Sequence, residues 1–346
     1  MKKEAMFYST LDNERVRCEL CPHRCVIAPG KRGLCKVREN DHGRLYTLIY
    51  GSVSSVAVDP IEKKPLFHFY PGSEVLSLGT AGCNFRCAHC QNATISQAGP
   101  EDVSLEEMPP EKAVRLARRY RCDGIAWTYN EPTIWYEHAY DGAQEAKRAG
   151  LYTVWVTNGY IMEEPFRRIA PYLDAMNVDV KASDEGFYRE VCGAQLEPVR
   201  HTCSLARRLG IHLEITYLII PGHNDSDEAL SNHCDWLVSA LGEEVPCHFS
   251  RFYPCYKMLD VPSTPLSTLL RAREIAKEKG IKYVYLGNVA HGRYENTYCP
   301  QCGELLIERS GFYVFCDKVK DGRCPQCGAN IPVIPTHARP SRVMMR

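Results

Sequence analysis

From residue 74 to about 289 the chain alternates apolar, β-rich runs with amphipathic helical stretches, and this alternation restricts its fold more than any other feature. Strand-like runs fall at 75–79, 124–129, 152–157, 175–180, 212–220, 247–252 and 282–286. Helical stretches lie between them, among them 111–120, 132–149, 198–209, 228–241 and 268–279. Gly150, Gly210 and Gly280 each follow such a stretch, where a helix ends on a residue without a Cβ. Repeated strand–helix units build a parallel sheet, because a parallel neighbour can be reached only through a crossover. Six or seven units are too few for a full eight-unit barrel, and the region they make up is set at 74–290. Residues 1–73 precede it, with runs at 45–50 and 53–58 expected to form a flanking sheet. Residues 291–346 follow, ending in an extended tail from Thr336.

Cysteine usage narrows the chemistry. The 346-residue chain carries 18 cysteines. Its start, Met1-Lys2-Lys3-Glu4-Ala5-Met6, lacks the apolar core of a secretory signal, and no run is long enough to cross a bilayer. A cytoplasmic protein whose clustered cysteines bind metal is therefore expected, rather than a disulfide framework. Formal net charge is zero with no basic or acidic block, so nothing points to nucleic acid or a membrane surface.

Three groups stand out. Cys83, Cys87 and Cys90 follow the first strand of the alternating region in a Cys-x3-Cys-x2-Cys loop. Three protein ligands leave a coordination position open, as suits a centre that does chemistry; a zinc knuckle completed by His89 is the alternative. Cys18, Cys21, Cys25 and Cys35 sit in a Gly- and Pro-rich loop and can close a zinc site, with His23 as a spare ligand, or hold an auxiliary iron–sulfur cluster. Cys299, Cys302, Cys324 and Cys327 form two Cys-Pro-Gln-Cys-Gly knuckles, a zinc-ribbon pattern in which Cys316 is a rival ligand. One or two zinc sites are thus expected. Most of the scattered cysteines (122, 192, 203, 234, 247, 255, 316) read as small core residues.

Functional residues of a parallel barrel gather where its strands end. The second strand ends in Thr128-Tyr129-Asn130-Glu131-Pro132, the third in Thr157-Asn158-Gly159, the fourth in Asp179-Val180-Lys181. Glu131 can accept hydrogen bonds from an ammonium, although an acid beside a proline also starts helices. Asp179 and Lys181, two apart in a strand, share a face and could equally form a structural ion pair. His248 lies on the sixth strand.

The run Gly82-Cys83-Asn84-Phe85-Arg86-Cys87-Ala88-His89-Cys90 resembles the cluster loop of radical S-adenosylmethionine (SAM) enzymes, with His89 where that family often has a carbocyclic aromatic. The resemblance implies a partial (β/α)6 TIM-like barrel of the radical SAM type, open on one side to a bulky substrate. It also implies a 4Fe-4S cluster on Cys83, Cys87 and Cys90 whose fourth iron chelates SAM. Reductive cleavage of SAM would then give a 5′-deoxyadenosyl radical that abstracts hydrogen from substrate. Glu131-Pro132 matches the family's Gly-Gly-Glu-Pro motif, with Tyr129 and Asn130 in place of the glycines. Thr157-Asn158-Gly159 and Asp179-x-Lys181 resemble motifs of pyruvate formate-lyase activating enzyme and its relatives. Asn130, Glu131, Thr157, Asn158, Asp179, Lys181 and, by position, His248 are the implied SAM-site residues. Val156 replaces the aspartate that helps those relatives hold a monovalent cation. The N-terminal cysteine loop, Trp127-Thr-Tyr-Asn-Glu-Pro, Tyr283-Val-Tyr-Leu-Gly-Asn288 and the C-terminal knuckles are similar to the radical SAM component of the AmmeMemoRadiSam system. That implies Memo-like and AMMECR-domain partners and an electron donor such as flavodoxin or ferredoxin. Other readings are a glycyl-radical-enzyme activase, or a non-enzymatic zinc or iron–sulfur scaffold or electron carrier. No general base or nucleophile stands out in the sequence.

Overall fold

The computed structural model of the chain describes residues 2–289 and 292–335; the tail expected from Thr336 lies outside them. All seven apolar runs become parallel strands, which we number with the antiparallel strand preceding them: β1 (Ser55–Pro60), β2 (Glu74–Gly79), β3 (Gly124–Trp127), β4 (Tyr152–Thr157), β5 (Ala175–Asp179), β6 (His212–Ile219), β7 (Cys247–Arg251) and β8 (Val284–Gly287). They form one eight-stranded sheet in which each strand pairs with its neighbours in the chain. Trp127 faces Trp155 across β3–β4, and Thr157 faces Val178 across β4–β5. β3 is buried throughout, and β2 from Val75 onward, which is why their apolar runs are continuous rather than alternating.

Helices α1 (Pro110–Arg119), α2 (Tyr136–Arg148), α3 (Glu163–Ile169), α4 (Leu196–Arg208), α5 (Asp227–Leu241) and α6 (Leu266–Glu278) make the crossovers. The single helix expected over 132–149 begins instead as a 3-10 turn, Pro132–Trp135, capped by the Glu131 side chain, before α2 starts.

Two expectations for the first segment are corrected. β1 does not flank the barrel but joins its sheet as an antiparallel edge, Val56 opposite Leu78. The run at 45–50 is shorter: Arg44–Thr47 pairs with Lys3–Glu4 and Arg38–Asp41 in a separate three-stranded sheet. A second small sheet (Tyr8–Thr10, Val16–Cys18, Val26–Ile27) frames the first cysteine loop.

Residues 61–73 return from β1 to β2 and close one end of the barrel. Phe67 packs edge-on against His248 and Tyr285, with ring centroids 4.8 and 4.7 Å away. Burying such a side chain stabilises by about 1.5–3 kcal/mol. Arg309, on the C-terminal strand Leu305–Ser310, donates to the Phe67 carbonyl (2.7 Å) and lies 3.5 Å from Glu62, both side chains fully buried. The cysteine ribbon is thereby keyed to the barrel.

Candidate active site

The loop after β2 is shaped from both sides. Asn130 accepts from Thr80 N (3.1 Å) and donates to the Gly82 carbonyl (2.8 Å), fixing the loop's entry. Gly82 has φ +89°, and a Cβ there would fall 2.6 Å from the Cys35 carbonyl oxygen, so only glycine fits between the two cysteine loops. Further along, Arg86 N donates to the Cys192 carbonyl (2.8 Å) and Ala88 N to that of Val191 (3.0 Å). Held in this way, Cys83, Cys87 and Cys90 line one cavity of about 330 Å³. None is in a disulfide. Burial pushes the Cys83 and Cys90 thiols up, whereas a hydrogen bond from Cys192 holds Cys87 down. His89 lines the same cavity, buried, and neither ring nitrogen has a hydrogen-bond partner. Such orphaned donors and acceptors fit a wall that faces a bound group.

Glu131, 1 % exposed, is clamped. It accepts from Thr157 Oγ1 (2.6 Å), Asn158 N (2.8 Å) and Thr133 N (2.9 Å), and burial nevertheless pushes its carboxyl up. It therefore starts a helical turn and lines the cavity at once. Asn158 extends the clamp toward the cysteines: its Nδ2 donates to Asn84 Oδ1 at 2.8 Å and lies 3.9 Å from Cys83 Sγ. Lys181 Nζ donates to Asp179 at 2.7 Å, and both side chains line the cavity. Burial alone would lower the Lys181 amine, but Asp179 and the Cys87 thiol hold it above its ordinary value. Asn130, Glu131, Thr157, Asn158, Asp179 and Lys181 are thus brought together.

His248 is not among the cavity-lining residues. It donates to Glu214 (2.6 Å), a buried carboxylate that also accepts from His212 and from the backbone N–H groups of Phe67 and His68. Ser250, two residues further along β7, reaches the cavity instead. Position in the strand suggested His248; the layer it occupies is set by Glu214 on β6.

The other cysteine groups differ in geometry. Cys299, Cys302, Cys324 and Cys327 bring their sulfurs within 4.8 Å of one another, without Cys316; among the described residues no other cysteine group does so. Cys18, Cys21, Cys25 and Cys35 surround a second pocket. His23 shares that pocket, but its Nε2 contacts the Asn84 carbonyl (2.8 Å) rather than serving the cysteines. Of the scattered cysteines, Cys122, Cys192, Cys203, Cys234 and Cys247 are buried as expected, whereas Cys316 and Cys255 are only partly buried, and Cys255 donates to the His89 carbonyl (3.3 Å). Sequence reasoning missed Asn84, Lys64, Tyr129, Cys192 and Cys255. Asn84 and Tyr129 stood inside motifs and could have been suspected; Lys64 carried no signal.

The profile of the radical SAM superfamily matches residues 77–234. An uncharacterised protein of Methanocaldococcus jannaschii is 51% identical over 337 residues, covering 96% of this chain and 99% of its own. Another from that organism, provisionally named a glycyl-radical enzyme activating enzyme, is 25% identical over 228 residues, 63% of this chain and 80% of its own. The structure of Streptococcus suis SuiB bound to precursor peptide SuiA superposes with a TM-score of 0.51 at 14% identity, over 67% of this chain and 52% of that one, a likeness of fold alone.

Proposed function

We propose that this chain, which belongs to the radical SAM superfamily, is an enzyme that cleaves SAM reductively and uses the resulting radical to take a hydrogen atom from its substrate. The family implies a 4Fe-4S cluster and SAM. The observation that carries the reading is that three free cysteines, one ligand short of a closed site, share a cavity with Glu131, Asp179 and Lys181. When bound, the cluster supplies the electron that breaks the S–C5′ bond of SAM. Cys83, Cys87 and Cys90 would hold it, and His89 would cover it. Lys181 is suited to the SAM carboxylate, and Glu131 to its ammonium. Thr157 and Asn158 act through Glu131 as positioning residues, since both donate to its carboxylate. The donor set supports an iron–sulfur group here better than a single zinc, because these sulfurs are not drawn together as those of the ribbon are.

Around this centre we assign a structural zinc to the ribbon, and zinc or an auxiliary cluster to Cys18–Cys35. The proposed division is 1–73, 74–290 and 291–346. Radical SAM enzymes take electrons from a flavodoxin or ferredoxin, and one of these is the proposed donor in a cytoplasmic setting. Among the described residues no helix is long and apolar enough to cross a membrane. Memo-like and AMMECR-domain proteins are the proposed partners. The test is anaerobic reconstitution followed by SAM and dithionite: 5′-deoxyadenosine should form. If none forms and Cys83→Ala behaves as the parent does, the reading is wrong.

A second reading, a glycyl-radical-enzyme activase, is favoured by the 25% identity to the relative named for that activity. Incubation with a glycyl-radical enzyme and SAM would then leave a persistent doublet in the EPR spectrum; its absence with active SAM cleavage would exclude that partner.

A further inference from the structure

The cavity has a second polar wall, formed by Lys63, Lys64 and Tyr129, that none of these roles uses. All three converge on Asp59 of β1. Its Oδ1 accepts from Lys63 Nζ (2.8 Å), and its Oδ2 from Lys64 Nζ (2.8 Å) and Tyr129 Oη (2.6 Å). Burial alone would raise the Asp59 carboxyl, but these donors hold it well below the usual range, so it is ionised. Two ammonium groups on one carboxylate leave the wall one positive charge in excess.

The two lysines are not alike. The Lys63 side chain is 44% exposed and that of Lys64 only 2%. An ammonium has three N–H donors. Lys64 places one on Asp59 and lies 4.8 Å from the centre of the Tyr129 ring; its other two have no acceptor among the described residues. Burial lowers its amine to about 8. Tyr129 is held here at some cost: its φ of +70° is left-handed, and its ring fits because a Cβ on Gly79 would approach it to 3.0 Å. Strain at such a place points to use. Neither of the cavity's other acids takes up these donors: Glu131 accepts from Thr133, Thr157 and Asn158, and Asp179 from Lys181.

We propose that this wall binds an anionic group, carboxylate or phosphate, on the molecule that loses the hydrogen atom, with Lys64 as its ion-pair partner and Lys63 as the outer guide. The proposal rests on the radical SAM reading of the same cavity. A point-charge ammonium suits either anion. A neutral group would leave the wall's excess positive charge unbalanced, which is how such a wall discriminates against it.

The test uses reconstituted protein with a reduced cluster, whose paramagnetism broadens NMR lines of small molecules bound nearby, with SAM withheld during the titrations and added last as a competitor. Inorganic phosphate, acetate and neutral acetamide are titrated separately. Broadening of phosphate or acetate but not acetamide is expected, and whichever anion binds tighter identifies the group. Lys64→Met should weaken that binding about tenfold, Lys63→Met about two- to threefold, and Lys64→Arg little, as expected for a charge-assisted contact. Iron content reports whether each variant is folded. No anion broadening, equal binding in Lys64→Met, or displacement of the anion by SAM itself would overturn the proposal. If SAM leaves the EPR spectrum of the reduced cluster unchanged, the enzyme reading fails and the proposal falls with it, a result separable from the titrations.

Discussion

In the C-terminal ribbon four thiols close on one another, Cys299 to Cys327 at 3.6 Å and Cys302 to Cys324 at 3.7 Å. A Zn–S bond of about 2.3 Å in tetrahedral geometry puts sulfurs about 3.8 Å apart, so this spacing suits one ion. The loop after β2 uses the same residue type at similar sequence spacing, yet its three thiols spread along a cavity wall. The difference lies in the frame. Each ribbon knuckle turns at a left-handed glycine, Gly303 or Gly328, and brings its thiols back toward those of the other. The β2 loop is instead tied to distant elements by Asn130, Cys192 and Asn158, which hold its sulfurs toward a shared space. On the proposed reading, closure in one region would serve stability and openness in the other chemistry.

Four experiments test that contrast, in order of expected effect. Cys87→Ala should abolish the SAM-dependent change in the EPR spectrum and 5′-deoxyadenosine formation while ribbon zinc stays; zinc loss alongside iron would mean the two sites are not independent. Gly82→Ala should destabilise the loop by about 2 kcal/mol or more, from its positive φ and the contact with Cys35. Iron per chain should fall severalfold, and normal iron content would show that the two cysteine loops can move apart.

Cys327→Ser should remove the ribbon metal and lower Tm by several degrees, since a structural zinc contributes folding free energy, yet leave SAM cleavage largely intact. Loss of cleavage would show that Arg309 transmits more than support. The smallest effect concerns Glu62, beneath that same arginine. Burial pushes its carboxyl from an ordinary 4.5 up to about 7, with Arg309 opposing. Between those values the folded chain keeps a proton that the unfolded chain has lost. Its stabilising contribution is therefore complete below pH 4.5 and fades as pH rises through 7. Relative to Glu62→Gln, the wild type should lose about 1–3 kcal/mol between pH 5 and 7.5; parallel Tm profiles would contradict this.

Much of the frame was legible in the sequence. The run 152–157 is a strand to the residue, and all seven parallel strands were anticipated, because both-face burial writes continuous apolar runs. β1 was misplaced since an antiparallel edge has no crossover helix to announce it. In the site, the cysteine loop and Glu131, Asn158, Asp179 and Lys181 were legible as strand-end polar residues. His248 was misjudged because alternation gives the face of a strand but not the layer along it. Lys64 was invisible: a lysine next to a lysine reads as solvated surface until a fold buries it.

By itself, then, the sequence determined the parallel α/β frame, the three cysteine groups and the strand ends at which polar groups gather, because periodicity and ligand spacing are local properties. Only the tertiary structure decided which sulfurs converge, that Glu131 answers to Thr157 and Asn158, and that Asp59 draws Lys64 and Tyr129 into the same cavity. Those pairings join residues distant in the chain, and their strength depends on burial that no local pattern encodes.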